Sequence, residues 1–231
     1  MRKTLLVSGL VLLALLGGAG GYYGGAKYTG SSPIHEVGTA TPLPAGPPPE
    51  TLPRKVALPN DLPAFKSKGL TFREQSFTVH PKDMDTVRLS IKAPRGWQLT
   101  RSAKTPGEVK FLSSADQALR VEALEPVLTP ADQMAKLIAE LKASQPYEND
   151  LKFISQINGQ VEGDDGQQRT VATLIYTYIP TKFLRYVVVR WVATGGDGIA
   201  TVEMSITGLP QDAAGLAPVT AKASETVEIN D

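Results

Sequence analysis

Val87, Leu89 and Ile91 alternate with Arg88, Ser90 and Lys92. A period of two with one apolar parity predicts a strand that buries one face. Ala93-Pro94-Arg95-Gly96-Trp97 then turns the chain, and shorter alternations predict strands at Val109–Phe111 and Leu119–Ala123. The period changes after Thr129. Met134, Leu137, Ile138 and Leu141 recur at i, i+3, i+4 and i+7, one face of a helix. Thr129 suits the N-cap, Pro130 the first helical position and Asp132 the first turn, and Pro146 stops the helix.

The second half reads as the centre of a sheet. A strand over Leu151–Ile157 is expected to end at Asn158-Gly159, with a further turn at Gly163-Asp164-Asp165-Gly166. Val171–Ile179 and Phe183–Val192 are apolar at both parities. In the latter, Val187, Val189 and Trp191 face one way, and Leu184, Tyr186, Val188 and Val192 the other. Strands of this kind need cover on both faces. Gly195-Gly196-Asp197-Gly198 leads into a one-sided strand, Ile199–Ile206. Pro210 to Ser224 predicts an alanine-rich helix, and Val227–Ile229 a closing strand. The sum is an α+β fold, a mostly antiparallel sheet flanked by helices.

The first part of the chain follows neither period. No charged side chain occurs from Thr4 to Ala26, a run of 23 residues. As a helix this would be about 34 Å long, enough to cross a hydrocarbon layer of about 30 Å. Its apolar centre, Leu5–Leu16, also has the length of a signal-peptide core, with small-residue cleavage sites readable at Gly17-Gly18-Ala19 and Gly24-Gly25-Ala26. Nine of the chain's 18 prolines then fall between Pro33 and Pro63, which predicts a stiff, extended linker rather than a core. A long linker is of use only if its far end is held, which favours a retained anchor over cleavage. Residues 1–26 are therefore read as a transmembrane anchor, 27–63 as a Pro-rich linker and 64–231 as one extracytoplasmic domain.

The strand "VRLSIKAPRGW", the helix "TPADQMAKLIAELKA", the meander "QQRTVATLIYTYIP…LRYVVVRWVATGGDGIATVEMSITG" and the closing "VTAKASETVEI" resemble the PsbP-like (Mog/PsbP) family over roughly residues 75–230. Cell-envelope lipoproteins share that fold. The resemblance implies a non-enzymatic docking domain whose members bind larger assemblies. No family binding residue matches a motif here. The lipobox cysteine of the lipoprotein members is missing, so attachment falls to the apolar segment.

Charge and composition narrow the chemistry. Arg2 and Lys3 account for more than the whole formal net charge of +1, so no basic face argues for nucleic acid. The absence of cysteine rules out disulfides, thiolate metal sites and thiol nucleophiles. His35 lies in the linker and His80 before Pro81, too few for a multi-histidine metal site. Asp164-Asp165 offers two carboxylates where a calcium loop needs about six oxygens, so a solvated turn is the simpler reading. Lys182, Arg185 and Arg190 interleave with Phe183, Tyr186 and Trp191, a pattern that suits either a single-strand platform or a core strand with basic ends. The core reading accounts for both faces. No catalytic, cofactor or metal residue is assigned.

Gly17, Gly20, Gly21, Gly24 and Gly25 give the small-xxx-small spacing with which membrane helices pack closely. Tyr22, Tyr23 and Lys27 suit the outer interface, with Arg2 and Lys3 keeping the N-terminus in the cytoplasm. The expectation is a single-pass protein of the bacterial cell membrane, an accessory or assembly subunit of an integral membrane protein complex. It needs no cofactor, and its partners are the lipid bilayer and that complex. The alternatives are a carrier of lipid or another small apolar ligand, and a cleaved, secreted protein.

Replacing Gly21 and Gly24 together by Leu should leave the chain in the membrane fraction while reducing co-purification of partner chains in mild detergent. Undiminished recovery of partners would make these glycines a matter of composition.

Overall fold

In the computed structural model, which describes residues 53–230, the alternation that begins at Val87 forms β2 (Val87–Pro94) and buries Leu89, Ile91 and Ala93. β1 (Phe72–Val79) pairs with β2 antiparallel, Phe77 facing Leu89, and β10 (Glu228–Asn230) pairs along its other side. Gly96, at φ +87°, supplies the left-handed residue that the Pro-Arg-Gly-Trp turn requires. The chain then enters a seven-stranded sheet of order β3-β4-β5-β9-β8-β7-β6. Its members are β3 (Gln98–Thr100), β4 (Glu108–Leu112), β5 (Ala118–Ala123), β6 (Lys152–Glu162), β7 (Gln168–Tyr178), β8 (Arg185–Val192) and β9 (Val202–Gly208). Every pairing is antiparallel.

Side-chain parity sorts the large sheet into two faces. Val109, Phe111, Leu119, Val121, Val171, Val192, Met204 and Ile206 meet the three-stranded sheet and Leu216, Val219 and Ala223 of helix α2 (Ala213–Thr226). On the other face, Ala172, Leu174, Tyr176, Val187, Val189 and Trp191 lie under Met134, Leu137 and Leu141 of helix α1 (Pro130–Ser144). The Thr129 hydroxyl caps α1 by accepting from the Asp132 N–H at 3.2 Å. Both faces of β7 and β8 are thus covered, as their two-sided sequences demand.

Five details differ from the sequence expectation. The strands form two sheets rather than one. The strand expected to stop at Asn158-Gly159 runs on to Glu162: Gly159 faces Val171 and keeps a negative φ, so the pair makes no hairpin. The reversal comes at 163–166, where Gly166 has φ +75°. β9 begins at Val202 rather than Ile199, and a 3₁₀ turn at Pro210–Asp212 precedes α2. β1 and β3 lacked a clean enough alternation to be expected at all.

Residues 53–65 lie against the domain as a strap. The Arg54 guanidinium holds Asp150 at 2.7 Å, the Lys55 ammonium reaches Asn149 and the Pro180 carbonyl, and the Leu58 N–H donates to the Lys182 carbonyl. At the other end, buried Asp212 collects three donors: the Phe65 N–H at 2.8 Å, the Leu209 N–H at 2.9 Å and the Gln117 amide at 3.1 Å. Gly215 of α2 lets the strap approach, since a β-carbon there would lie 2.1 Å from the Phe65 carbonyl oxygen.

Replacing Asp212 by Ala strands those three donors and should lower stability by roughly 2–4 kcal/mol in denaturant unfolding. The Phe65 ring lies 5.9 Å from that of Trp97, so the indole fluorescence should register release of the strap. Unchanged stability would show that the strap is not fastened at this point.

Candidate docking edge and buried charge cluster

The large sheet ends on one side in three-residue β3 and on the other in eleven-residue β6. β6 pairs only with β7 among the described residues, so its outer row of backbone donors and acceptors is open. Soluble proteins usually blunt such an edge with proline, charge or shortness. Here Phe153–Val161 has neither proline nor charge, and Ile154 and Ile157 are 58% and 52% exposed. One irregularity interrupts it, a bulge between Phe153 and Ser155. From Ser155 to Glu162 the strand is regular. Chemically, the edge can accept another strand by main-chain hydrogen bonding, with the exposed isoleucines as anchors.

The second feature is set by register. On the α1 side of the sheet, Glu108, Glu122 and Glu203 stand opposite one another across β4, β5 and β9, with Trp191 next in the row on β8. Three carboxylates in adjacent cross-strand positions repel. Arg120, buried in the neighbouring row, resolves the conflict. Its Nη1 donates to Glu108 at 2.9 Å and to Glu122 at 2.8 Å, its Nη2 to Glu203, and its Nε to the Ser205 hydroxyl at 3.1 Å. The Thr105 hydroxyl and Lys110 complete Glu108, and the Trp191 indole N–H donates to Glu203 at 2.8 Å. Three surrounding carboxylates hold the Arg120 guanidinium firmly protonated against the cost of burial.

Glu122 differs from its neighbours in keeping about a third of its side chain, 32%, exposed. Desolvation, which outweighs the attraction of Arg120, and then repulsion from Glu203 and Glu108 push its carboxyl up from 4.5 to about 7. Beside the cluster, the buried Tyr176 hydroxyl has no hydrogen-bond partner among the described residues, and burial raises its pKa.

The residues singled out by sequence fall in four places. Gly17, Gly20, Gly21, Gly24, Gly25, Tyr22, Tyr23, Lys27 and His35 lie outside the described residues. Among the described residues no helix is long and apolar enough to cross a membrane. His80 sits in an exposed turn, its Nδ1 3.0 Å from the Thr86 hydroxyl. Asp164 and Asp165 are bound by cations of this chain: Lys92 and Lys222 hold the first, Arg169 the second. Among the described residues no three His, Asp or Glu side chains are placed to hold a metal ion. Arg190 is tied down by Thr173 at 2.9 Å and Ser224 at 2.8 Å and Trp191 is buried, so this stretch forms core rather than a stacking platform. Sequence reading missed both the β6 edge and the Arg120 cluster. The nine uncharged residues were a visible signal for the first. The second requires the register.

No family model matches the chain, and no curated protein matches it. Solved structures do. The Ran-binding protein Mog1p of Saccharomyces cerevisiae is 12% identical, with a TM-score of 0.46 over 71% of this chain and 97% of that one. LpqN, involved in cell envelope biogenesis of Mycobacterium tuberculosis, is 17% identical, with a TM-score of 0.42 over 68% of this chain and 92% of that one. These are likenesses of chain path, and the α+β class stated above rests on this chain's own strand order and register.

Glu122 gives the cluster a pH signature. The folded protein keeps a proton on Glu122 between about pH 4.5 and 7 that the unfolded chain has released, so stability falls as pH rises through that window. Glu122→Gln, always neutral, should flatten this slope and exceed the parent at pH 8 by about 1–2 kcal/mol, allowing for solvent screening. Denaturant unfolding at several pH values from 5 to 8 measures it. A difference between parent and variant that does not change with pH would show that Glu122 is already ionised at pH 5.

Proposed function

We propose that this chain is a membrane-anchored, extracytoplasmic accessory or assembly subunit. Its α+β domain docks without chemistry on a larger membrane protein complex of the cell envelope. The observation that carries the reading is the β6 edge: eleven residues long, uncharged through its middle and, among the described residues, open along its outer side. An edge of this kind is an aggregation hazard unless it is occupied, and occupation by another protein is docking. The uncharged run at residues 4–26 supports the anchored placement, because it inserts by the hydrophobic effect rather than by charge. The Pro-rich stretch supports a domain held away from the bilayer.

The test uses the full chain purified from its native membranes in mild detergent, parent against Ile157→Lys at equal expression. The variant should stay in the membrane fraction through high-salt and alkaline washes. It should lose most of the co-purifying chains, because a charge at the middle of the edge must be buried for a strand to add. Equal recovery of the same chains from both proteins would remove β6 from the docking surface. Release of the parent by the washes would remove the anchor.

A further inference from the structure

Resting on that reading of β6 as a docking edge, we infer that its occupant is β6 of a second copy of this chain, paired antiparallel about a two-fold axis at Ile157.

The sequence of the strand is matched to its own reverse. With the axis at Ile157, Gln156 of one copy stands opposite Asn158 of the other. Both lie on the α1 side, where they face Leu174 and Ala172 of their own β7. Two such amides can donate to and accept from each other across the pair. On the opposite side Ile157 meets its own copy, and the half-exposed sec-butyl surface that is unexplained in one chain becomes a shared apolar contact. Ser155 stands opposite Gly159, so small groups flank the two isoleucines and leave them room.

The ends are compatible in charge. Antiparallel pairing brings the Lys152 end of each strand beside the Glu162 end of the other, so like charges stay apart. The bulge at Phe153–Ser155 turns Lys152 to the face of Thr177 while Glu162 shares the α1 face with Gln168, so the two do not pair, and Lys152 keeps Asp150 at 2.7 Å.

Symmetry closes the assembly at two. The strand offered and the strand received are the same surface, so both open edges are consumed. Addition of β6 to the far edge of another copy would leave an open β6 at each step and grow a filament. That far edge, three-residue β3, is also too short to match eleven residues. An independent feature of the sequence points to like copies. The small-residue spacing at Gly17, Gly20, Gly21, Gly24 and Gly25 suits close packing of two identical helices. Arg54 lies beside Asp150, two residues before β6, so each chain leaves the domain toward that segment from the end of the paired strand.

The absence of cysteine makes the test clean, since a single introduced thiol is the only one present. Ile157→Cys and Glu162→Cys are made separately in the full chain and oxidised mildly in native membranes. Both positions are exposed, so the substitutions spare the core. In the proposed register two copies of residue 157 lie about 5 Å apart between α-carbons, within reach of a disulfide. Two copies of residue 162 lie ten residues apart along the strands, about 33 Å. Ile157→Cys should therefore form the disulfide dimer at least ten times more readily than Glu162→Cys. In detergent, differently tagged copies of Ile157→Lys should no longer co-purify with each other, as those of the parent do.

Equal dimer yields at 157 and 162, or none at 157, would overturn the pairing. A cross-link from Ile157→Cys to a different protein would also overturn it while leaving β6 as a docking edge. Only an Ile157→Lys protein that keeps both its second copy and its native partners removes the edge itself.

Discussion

Strands β7 and β8 carry large apolar side chains on both faces, and the rest of the molecule is arranged to satisfy them. A sheet buried on one side only would leave either Val187, Val189 and Trp191 or Val188 and Val192 in water. The three-stranded sheet and α2 cover one face, and α1 covers the other. Burial of each such side chain is worth about 1.5–3 kcal/mol. The two cores are therefore coupled through shared strands: loss of α1 would expose one face of residues whose backbone also carries the other core.

The same face of the sheet changes character between β8 and β9. Trp191 marks the boundary, its ring under α1 and its N–H on Glu203. Beyond it, polar and charged side chains stand where apolar ones stood. Arg120 holds this half together. Replacing a buried charge network by apolar groups can be neutral, but removing its one shared cation leaves carboxylates without compensation. The cluster is thus a device of specification, fixing which strands lie side by side: a shift of register by one residue would carry Arg120 into the apolar core and Leu119 out of it.

Most of the fold was legible in the sequence because its signals are local. The α1 cap, its i, i+3, i+4, i+7 face and its proline stop are read within eighteen residues, and each strand of the meander declares itself by its own period. What was not legible depended on pairing. Arg120 and Glu122 read as the solvent parity of a one-sided strand, and only the apposition of β4, β5 and β9 turns that parity into a buried network. Asn158-Gly159 has the composition of a hairpin turn, but ten paired positions along β7 outweigh a local preference of this size. The strap escaped for a related reason. Val56, Leu58 and Leu62 are too sparse to show a period, and their stretch is held instead by hydrogen bonds to distant carbonyls and carboxylates.

The strap also settles how the domain bears mechanical load. A pull on the N-terminal side meets Arg54 and Lys55 first, then the Leu58 backbone, then Phe65 at Asp212, and only afterwards β1. These fastenings lie in series, so tension peels them one at a time, and each release adds several ångströms of slack before the next is strained. The thirteen residues from 53 to 65 can give up to about 45 Å in this way. Under such a pull the strap is a tear-away seam. The sheet is spared until the seam is spent.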